Sequence, residues 1–174
     1  MLYGYFEIYA KIMPSEGSSA FWLAWPADAD VQTEIDVFEM GGDGNTPDPA
    51  GDELPHLTSN NRFNMNYHVF ESAEHPEVVG YNQDRCWVAP FEFKDAYHTY
   101  GLQWDAEYVR WYVDGVLIHV KANIDHHVPM KIILDSEAFW GGEADGGWFG
   151  FPTPAKFPSY FKIQWLRTWT KTPG

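Results

Sequence analysis

The chain has 174 residues, which is enough for one domain with a sizeable hydrophobic core. Its formal net charge of −14 argues against nucleic acids and anionic membranes as partners, because both attract basic surfaces. A neutral polymer remains open as a partner, and so does a plain acidic surface with no charged partner. A single cysteine, Cys86, excludes an intrachain disulfide and a cysteine-based zinc site.

Along the chain the hydrophobic residues recur with a period of two, which is typical of β-strands. The pattern predicts strands, in chain order, over 2–12, 19–25, 33–40, 62–70, 97–105, 107–113, 116–121, 128–136 and 160–170. Asp114-Gly115 predicts a tight hairpin turn. Residues 41–61 and 139–158 are long loops rich in glycine, and such loops in compact domains are often functional. With no long amphipathic helix and no apolar run of transmembrane length, the sequence predicts an all-β sandwich.

Three carboxylates are grouped in the predicted strand 33–40, at Glu34, Asp36 and Glu39, and we call them the carboxylate row. Because side chains alternate between faces along a strand, Glu34 and Asp36 share one face, whereas Glu39 would point to the other. One extra residue would return Glu39 to the shared face. We therefore predict a β-bulge at Val37-Phe38.

The carboxylate row has the chemistry that a retaining glycosidase needs. Repulsion between neighbouring carboxylates raises the pKa of at least one of them, so that one can stay ionised as nucleophile while another stays protonated as general acid. Retaining enzymes hold these two groups about 5–5.5 Å apart, which a bulged strand allows. The row alone leaves two alternatives open: a solvated acidic face, and a calcium site built from carboxylate oxygens.

Over nearly its whole length the sequence resembles glycoside hydrolase family 16. The resembling segments are Tyr3-Gly4-Tyr5-Phe6-Glu7, Phe21-Trp22-Leu23, Glu34-Ile-Asp36-Val-Phe-Glu39, Tyr97 to Trp104, Trp111 to Gly115 and Ile163 to Trp169. The resemblance implies a jelly-roll β-sandwich of the concanavalin A-like type and a retaining endo-glycosidase that acts on a β-linked polysaccharide. Ser18 to Leu23 and Ile133 to Glu137 are more similar to agarases, porphyranases and carrageenases than to laminarinases. We therefore place an algal galactan ahead of a β-1,3-glucan as substrate.

Roles follow from the resemblance by position. It implies that Glu34 is the nucleophile, that Glu39 is the general acid and base, and that Asp36 assists between them. The expected substrate-binding residues are Trp22, Trp25, Asn66, His68, Glu137 and Trp140. Trp22 has a better claim than Trp25 as a sugar platform, since alternation turns its neighbours Phe21 and Leu23 to the core. His68 fits a structural role equally well.

Other aromatic and histidine residues have simpler interpretations. We expect Trp104, Trp111 and Trp165 to pack in the core. His126-His127 predicts a solvated turn, because two adjacent histidines on a strand point apart and cannot easily share a metal. Arg62 and Arg85 are candidates for binding sulfate groups, and each fits a surface arginine better.

The resemblance also bears on the extent of the domain and on its cofactors. Residues 1–174 are expected to form one glycoside hydrolase domain that lacks the family's first strands, which would leave an exposed sheet edge. Gln164 stands where many members carry an aspartate of a calcium site, so we expect no cofactor and find only weak support for structural calcium. Met1-Leu2 leads directly into a strand without a signal peptide. We nevertheless expect a secreted or periplasmic monomer whose partner is a polysaccharide.

Two further functions remain possible from the sequence. A non-catalytic carbohydrate-binding module would keep the cleft without chemistry, although a lectin gains little from a crowded acidic strand. Transglycosylation passes through the same covalent intermediate as hydrolysis, and the residues do not separate the two.

Overall fold

The computed structural model describes residues 1–14, 18–26, 31–41, 61–72, 76–78, 81–82, 85–136 and 158–170. The strands in these ranges are β1 (Gly4–Lys11), β2 (Ser18–Ala24), β3 (Gln32–Gly41), β4 (Arg62–Glu71), β5 (Tyr81–Asn82), β6 (Arg85–Val88), β7 (His98–Trp104), β8 (Tyr108–Val113), β9 (Val116–Ala122), β10 (Lys131–Asp135) and β11 (Lys162–Trp169). Pro76–Val78 forms a single 3₁₀ turn. Within the described ranges no helix is long and apolar enough to cross a membrane.

The strands form two antiparallel sheets that pack face to face. One sheet has the order β11-β1-β7-β8-β9, and the other has the order β10-β2-β3-β4-β5, with β6 also paired to β4. The all-β jelly-roll sandwich predicted from the sequence is therefore confirmed. Strands β5 and β6 were not predicted, because two to four residues are too few to show an alternating pattern.

The core lies between the sheets and follows the alternation seen in the sequence. In β1, Phe6, Ile8 and Ala10 are buried, and in β4 the buried set is Phe63, Met65, Tyr67 and Val69. Trp104 and Trp111 are also buried, as expected. Strand β3 is flanked on both sides by other strands, so its backbone is held from both edges while one of its faces remains free for a site.

Trp165 does not pack in the core, contrary to the expectation from the sequence. A bulge in the β1–β11 pairing leaves Gln164 without a partner, so Trp165 lies opposite Tyr9 on the outer face of the five-stranded sheet. There its ring stacks on Tyr9 at 5.6 Å and lies 4.5 Å from the guanidinium of Arg167. The bulge changes the face on which Trp165 lies, and strict alternation cannot anticipate it.

Candidate active site

The carboxylate row lies on one face of β3 because the strand contains the predicted bulge. Asp36 pairs with Trp22 of β2 and Phe38 pairs with the preceding residue Phe21, so Val37 has no partner in this ladder. Glu39 pairs with Ala20, which lies two residues from Trp22 and shares its face. Val37 and Phe38 are both buried, whereas Glu39 is half-buried. The structure thus places all three carboxylates of the row on the same face.

Two of the carboxylates share a histidine from the neighbouring strand. Glu34 lies opposite His68 in the β3–β4 pairing, and Asp36 lies opposite Asn66. The Nε2 atom of His68 is 3.0 Å from Oδ2 of Asp36 and 3.8 Å from Oε1 of Glu34. Only 2% of the Asp36 side chain is exposed, against 16% for the other two side chains. His68 therefore touches the catalytic candidates directly.

Burial and a neighbouring carboxylate together change the ionisation of Glu34. The pKa of Glu34 is raised to about 8, chiefly by burial and next by the negative charge of Asp36, although His68 acts in the opposite direction. A side-chain hydrogen bond with Asp36 and the charge of Asp135 are smaller causes of the same rise. A hydrogen bond between two carboxyl groups requires a proton. The Glu34–Asp36 pair therefore retains one proton near neutral pH, and the proton belongs to the pair as a whole.

Aromatic side chains flank the carboxylate row. Trp22 shares the face of Asp36, and its indole nitrogen donates a hydrogen bond of 3.0 Å to Oδ1 of Asp135. On the other side Trp25 packs against Phe70 at 5.5 Å, and the Phe70 ring stacks on His68 at 5.1 Å. Flat, partly exposed aromatic rings beside carboxylates suit the apolar C–H faces of sugar rings.

Two residues of this face were not among the predicted site residues. Phe70 is 46% exposed and lies in the same alternating set as Asn66 and His68, so the period-two pattern of β4 was a signal for it. Asp135 lies on the edge strand β10 and reaches the site through Trp22, a contact that only the sheet pairing reveals.

Asn66, a predicted substrate-binding residue, is buried, and its Oδ1 accepts a hydrogen bond from the backbone N–H of Tyr67. The predicted residues Glu137 and Trp140 lie outside the described residues.

The same cluster offers ligand atoms for a cation. One side-chain atom each from Glu34, Asp36 and His68 lie within 4.8 Å of one another. Carboxylate and imidazole ligands bind divalent metals only when they are deprotonated. Binding of a cation at this position would therefore displace the proton that Glu34 and Asp36 share.

The prediction that His126-His127 forms a solvated turn is wrong for the first residue. His127 is exposed and hydrogen-bonds the Tyr3 hydroxyl through Nδ1 at 2.8 Å. His126 is buried, and its Nε2 lies 2.9 Å from the carbonyl oxygen of Glu34. Burial, the largest cause, lowers the pKa of His126 to about 3, so the ring is neutral in the folded protein. Of the two adjacent rings, one is therefore exposed and the other lies in the core.

Comparison with known proteins points to one family. The family model described as "Beta-porphyranase A-D, GH16 domain" matches residues 1–171. The β-glucanase of Bacillus subtilis (strain 168) is 27% identical over 167 residues, which cover 95% of this chain and 57% of that protein. The chain thus spans little more than half the length of this relative.

Two solved structures show the same fold. The catalytic domain of an endo-1,3-β-glucanase (laminarinase) from Thermotoga petrophila RKU-1 aligns with a TM-score of 0.72 at 23% identity, covering 99% of this chain and 66% of that one. Porphyranase B from Zobellia galactanivorans aligns with a TM-score of 0.70 at 21% identity, covering 97% of this chain and 63% of that one. One structure is named an endo-1,3-β-glucanase and the other a porphyranase, so the likeness of fold does not discriminate between these two activities.

Proposed function

We propose, from the geometry of the carboxylate row and because the chain belongs to glycoside hydrolase family 16, that it is a retaining endo-glycosidase acting on a β-linked polysaccharide. The observation that carries the proposal is the bulge at Val37, which sets Glu34, Asp36 and Glu39 on one face of β3. A bulge disrupts a ladder, and it occurs here at the one place where it gathers three carboxylates. The proton that Glu34 and Asp36 share supports the proposed ionisation chemistry. The flanking aromatic rings offer surfaces on which a sugar ring can stack.

In the proposed mechanism Glu39 and Glu34 act on opposite ends of the reacting bond. Glu39 protonates the glycosidic oxygen while the carboxylate of Glu34 attacks the anomeric carbon, which forms a glycosyl-enzyme and releases the leaving sugar. Glu39 then takes a proton from a water molecule, and that water displaces Glu34 with net retention of configuration. A second sugar in place of water would give transglycosylation through the same intermediate.

Glu34 must be ionised when it attacks, so the proton of the Glu34–Asp36 pair belongs on Asp36 in the reactive state. Protonated Asp36 donates a hydrogen bond to Glu34, and its other oxygen faces Nε2 of His68 at 3.0 Å. His68 then acts as donor to that oxygen. In this arrangement all three groups are paired and Glu34 remains the nucleophile.

We propose an algal galactan as the substrate class. The match of residues 1–171 to a porphyranase family model favours it. The second candidate is a β-glucan, because the Bacillus subtilis relative is a β-glucanase at 27% identity. We place the enzyme outside the cytoplasm, in the periplasm or secreted, since a polysaccharide of either class is met there.

The test is reducing-end release from agarose, porphyran, κ-carrageenan, laminarin and mixed-linkage glucan, with wild type beside Glu34→Gln. We expect one polymer to be cleaved and the variant to lose nearly all turnover while it still binds that polymer. NMR of the first product should show the anomer that the substrate had. Binding without cleavage by the wild type would support a carbohydrate-binding module, and full turnover by Glu34→Gln would remove Glu34 as nucleophile.

The position of the shared proton has a separate test. Asp36→Asn imitates protonated Asp36, because an amide can donate to Glu34 and accept from His68 at once. We expect Asp36→Asn to keep much more turnover than Asp36→Ala, and to lose the alkaline limb of the kcat profile that titration of the pair produces. Equal turnover of the two variants would place the proton elsewhere.

A further inference from the structure

Two side chains from outside the carboxylate sheet donate hydrogen bonds to the backbone of the carboxylate row. Nε1 of Trp111, on β8 in the opposite sheet, donates to the carbonyl oxygen of Asp36 at 2.9 Å. Nε2 of His126, in the turn between β9 and β10, lies 2.9 Å from the carbonyl oxygen of Glu34. Both side chains are buried, and both reach β3 across the core.

The chemistry of the atoms fixes the direction of both bonds. An indole nitrogen can only donate, and a carbonyl can only accept. The Nε2 atom of neutral His126 must therefore carry its hydrogen, which leaves Nδ1 as an acceptor. Within the described structure Nδ1 is buried and has no hydrogen-bond partner. The bond to the Glu34 carbonyl thus selects the tautomer that carries its hydrogen on Nε2. Within the described residues this choice leaves Nδ1 without a donor to bond.

The Asp36 carbonyl that accepts from Trp111 lies directly beside the bulge. In a regular antiparallel sheet the carbonyls point sideways to neighbouring strands, and a bulge disrupts this pattern at the extra residue. The extra residue is Val37, directly after Asp36. The bond from Trp111 therefore supports the backbone beside this irregularity, at a residue that also pairs with Trp22 and Asn66.

The turn that carries His126 is itself held by several hydrogen bonds. The side-chain oxygen of Asn123 accepts from the backbone N–H of His126 at 2.9 Å, and its amide donates to the His126 carbonyl at 3.0 Å. Nε1 of Trp104 donates to the same carbonyl at 2.9 Å. The ring of Tyr67 packs against the imidazole with a centroid distance of 3.7 Å. These contacts hold the turn that places the His126 ring beside the Glu34 carbonyl.

We propose that Trp111 and His126 form a carbonyl clamp: they are positioning residues that hold the backbone of Asp36 and Glu34 and thereby set the relative placement of the two carboxyl groups. The inference rests on the proposed function, in which that placement matters for attack. It goes beyond the proposed function by assigning a role in the reaction to two core residues that never touch the sugar.

The first experiment removes the donor of Trp111. Trp111→Phe keeps an aromatic ring in the core and loses the N–H, and Trp87→Phe is the matched control because the described ring contacts of Trp87 are to Phe91 and Phe93. We expect Trp111→Phe to lower kcat about tenfold to a hundredfold with KM unchanged, since small misplacements of reacting groups cost rate. Trp87→Phe should lower the melting temperature and leave kcat unchanged. Equal kcat values for Trp111→Phe and wild type would overturn the clamp.

Two further variants separate positioning from packing. Replacing Trp111 with benzothienylalanine puts sulfur where the N–H was and keeps the shape, so it should reproduce the loss of kcat even if Trp111→Phe folds poorly. His126→Gln retains a donor that can reach the Glu34 carbonyl and should keep more turnover than His126→Leu. Equal turnover of the two His126 variants, or wild-type turnover of the benzothienyl variant, would mean that these residues only pack.

A readout without substrate keeps the clamp testable if the proposed function fails. The carboxyl carbon of Glu34 can be followed by NMR as the pH changes, because its titration reports the contact with Asp36. We expect this titration to shift in Trp111→Phe and in the benzothienyl variant, and to match wild type in Trp87→Phe. Cleavage of no polymer by wild type would end the proposed function alone, whereas titrations that superimpose in all variants would end the clamp.

Discussion

The buried His126 should make the protein sensitive to acid, and this can be measured without any substrate. The ordinary pKa of a histidine is 6.5, and burial lowers that of His126 to about 3. Between pH 3 and pH 6.5 His126 is protonated in the unfolded chain and neutral in the folded protein. Stability from this residue is therefore complete above pH 6.5 and is lost progressively as the pH falls towards 3.

The size of the effect follows from the two pKa values. Each pH unit in this window costs about 1.4 kcal/mol of unfolding free energy, so the loss reaches about 3 kcal/mol by pH 4.5. A domain has about 5–15 kcal/mol of stability, so this loss is a large share of it. His126 is buried, so solvent does not screen the effect.

Glu34 changes stability with pH in the opposite direction to His126. In the wild type alone its contribution would therefore mask that of His126. The pKa of Glu34 is raised from 4.5 to about 8, so its contribution is complete below pH 4.5 and is lost as the pH rises through 8. Between pH 4.5 and 6.5 the two residues therefore change stability with opposite signs. Only a comparison with a variant that lacks the histidine isolates the contribution of His126.

The variant is His126→Gln, which cannot titrate and can still donate to the Glu34 carbonyl. Urea unfolding followed by tryptophan fluorescence at several pH values gives the free energy of each protein. We expect the stability of wild type relative to His126→Gln to fall by about 3 kcal/mol between pH 7.5 and 4.5. Curves that run parallel over this range would refute the reasoning, because they would show that the folded protein protonates His126 as easily as the unfolded chain does.

Three other predictions use different parts of the sandwich. A methyl group on Gly101 would collide with the Tyr5 hydroxyl. Gly101→Ala should therefore cost about 1–3 kcal/mol in urea unfolding, and Tyr5→Phe should return part of this; no relief in the double variant would contradict the collision. Tyr67→Phe removes the acceptor of the backbone N–H groups of Ile124 and Asp125 and should cost about 1–3 kcal/mol by the same assay, whereas an unchanged midpoint would mean that water replaces the hydroxyl. Prolonged dialysis against EDTA should leave kcat unchanged, because Glu34 and Asp36 share a proton where a cation would otherwise bind. A loss of activity that added calcium restores would contradict this prediction.

Local patterns were sufficient to predict the strands and the bulge. Alternation identified nine of the described strands, and Asp114-Gly115 forms the expected turn, with positive φ values of 49° and 75°. The bulge was predictable because Asp36 and Glu39 are three residues apart and can share a face only if one residue is extra. In each case the deciding information lies within a few residues of sequence.

The surroundings of the site depend on contacts between distant residues and could not be predicted in this way. Ninety-two residues separate His126 from Glu34, and 75 separate Trp111 from Asp36. An adjacent pair of histidines is typical of a polar turn, and only the burial of His126 and its bond to the Glu34 carbonyl show that one ring lies in the core. Phe70 lies between these two cases. Alternation alone places it on the polar face of β4, but a single aromatic residue at the end of a strand gives no further signal of a site.

The bulge at Val37 has two consequences for the carboxylate row. It brings Glu39 to the face of Glu34 and Asp36, and it disrupts the ladder directly after Asp36. Carboxyl groups beside a bulge keep a fixed placement only if the backbone there is well held, and Asp36 keeps its pairing with Trp22 and Asn66. The buried indole of Trp111 adds a further bond, to the Asp36 carbonyl, without adding a charge or a flexible chain. The tryptophan at position 111 and the spacing of the carboxylates are therefore two parts of one requirement: to hold three acidic side chains close together on a strand that no longer has a regular ladder.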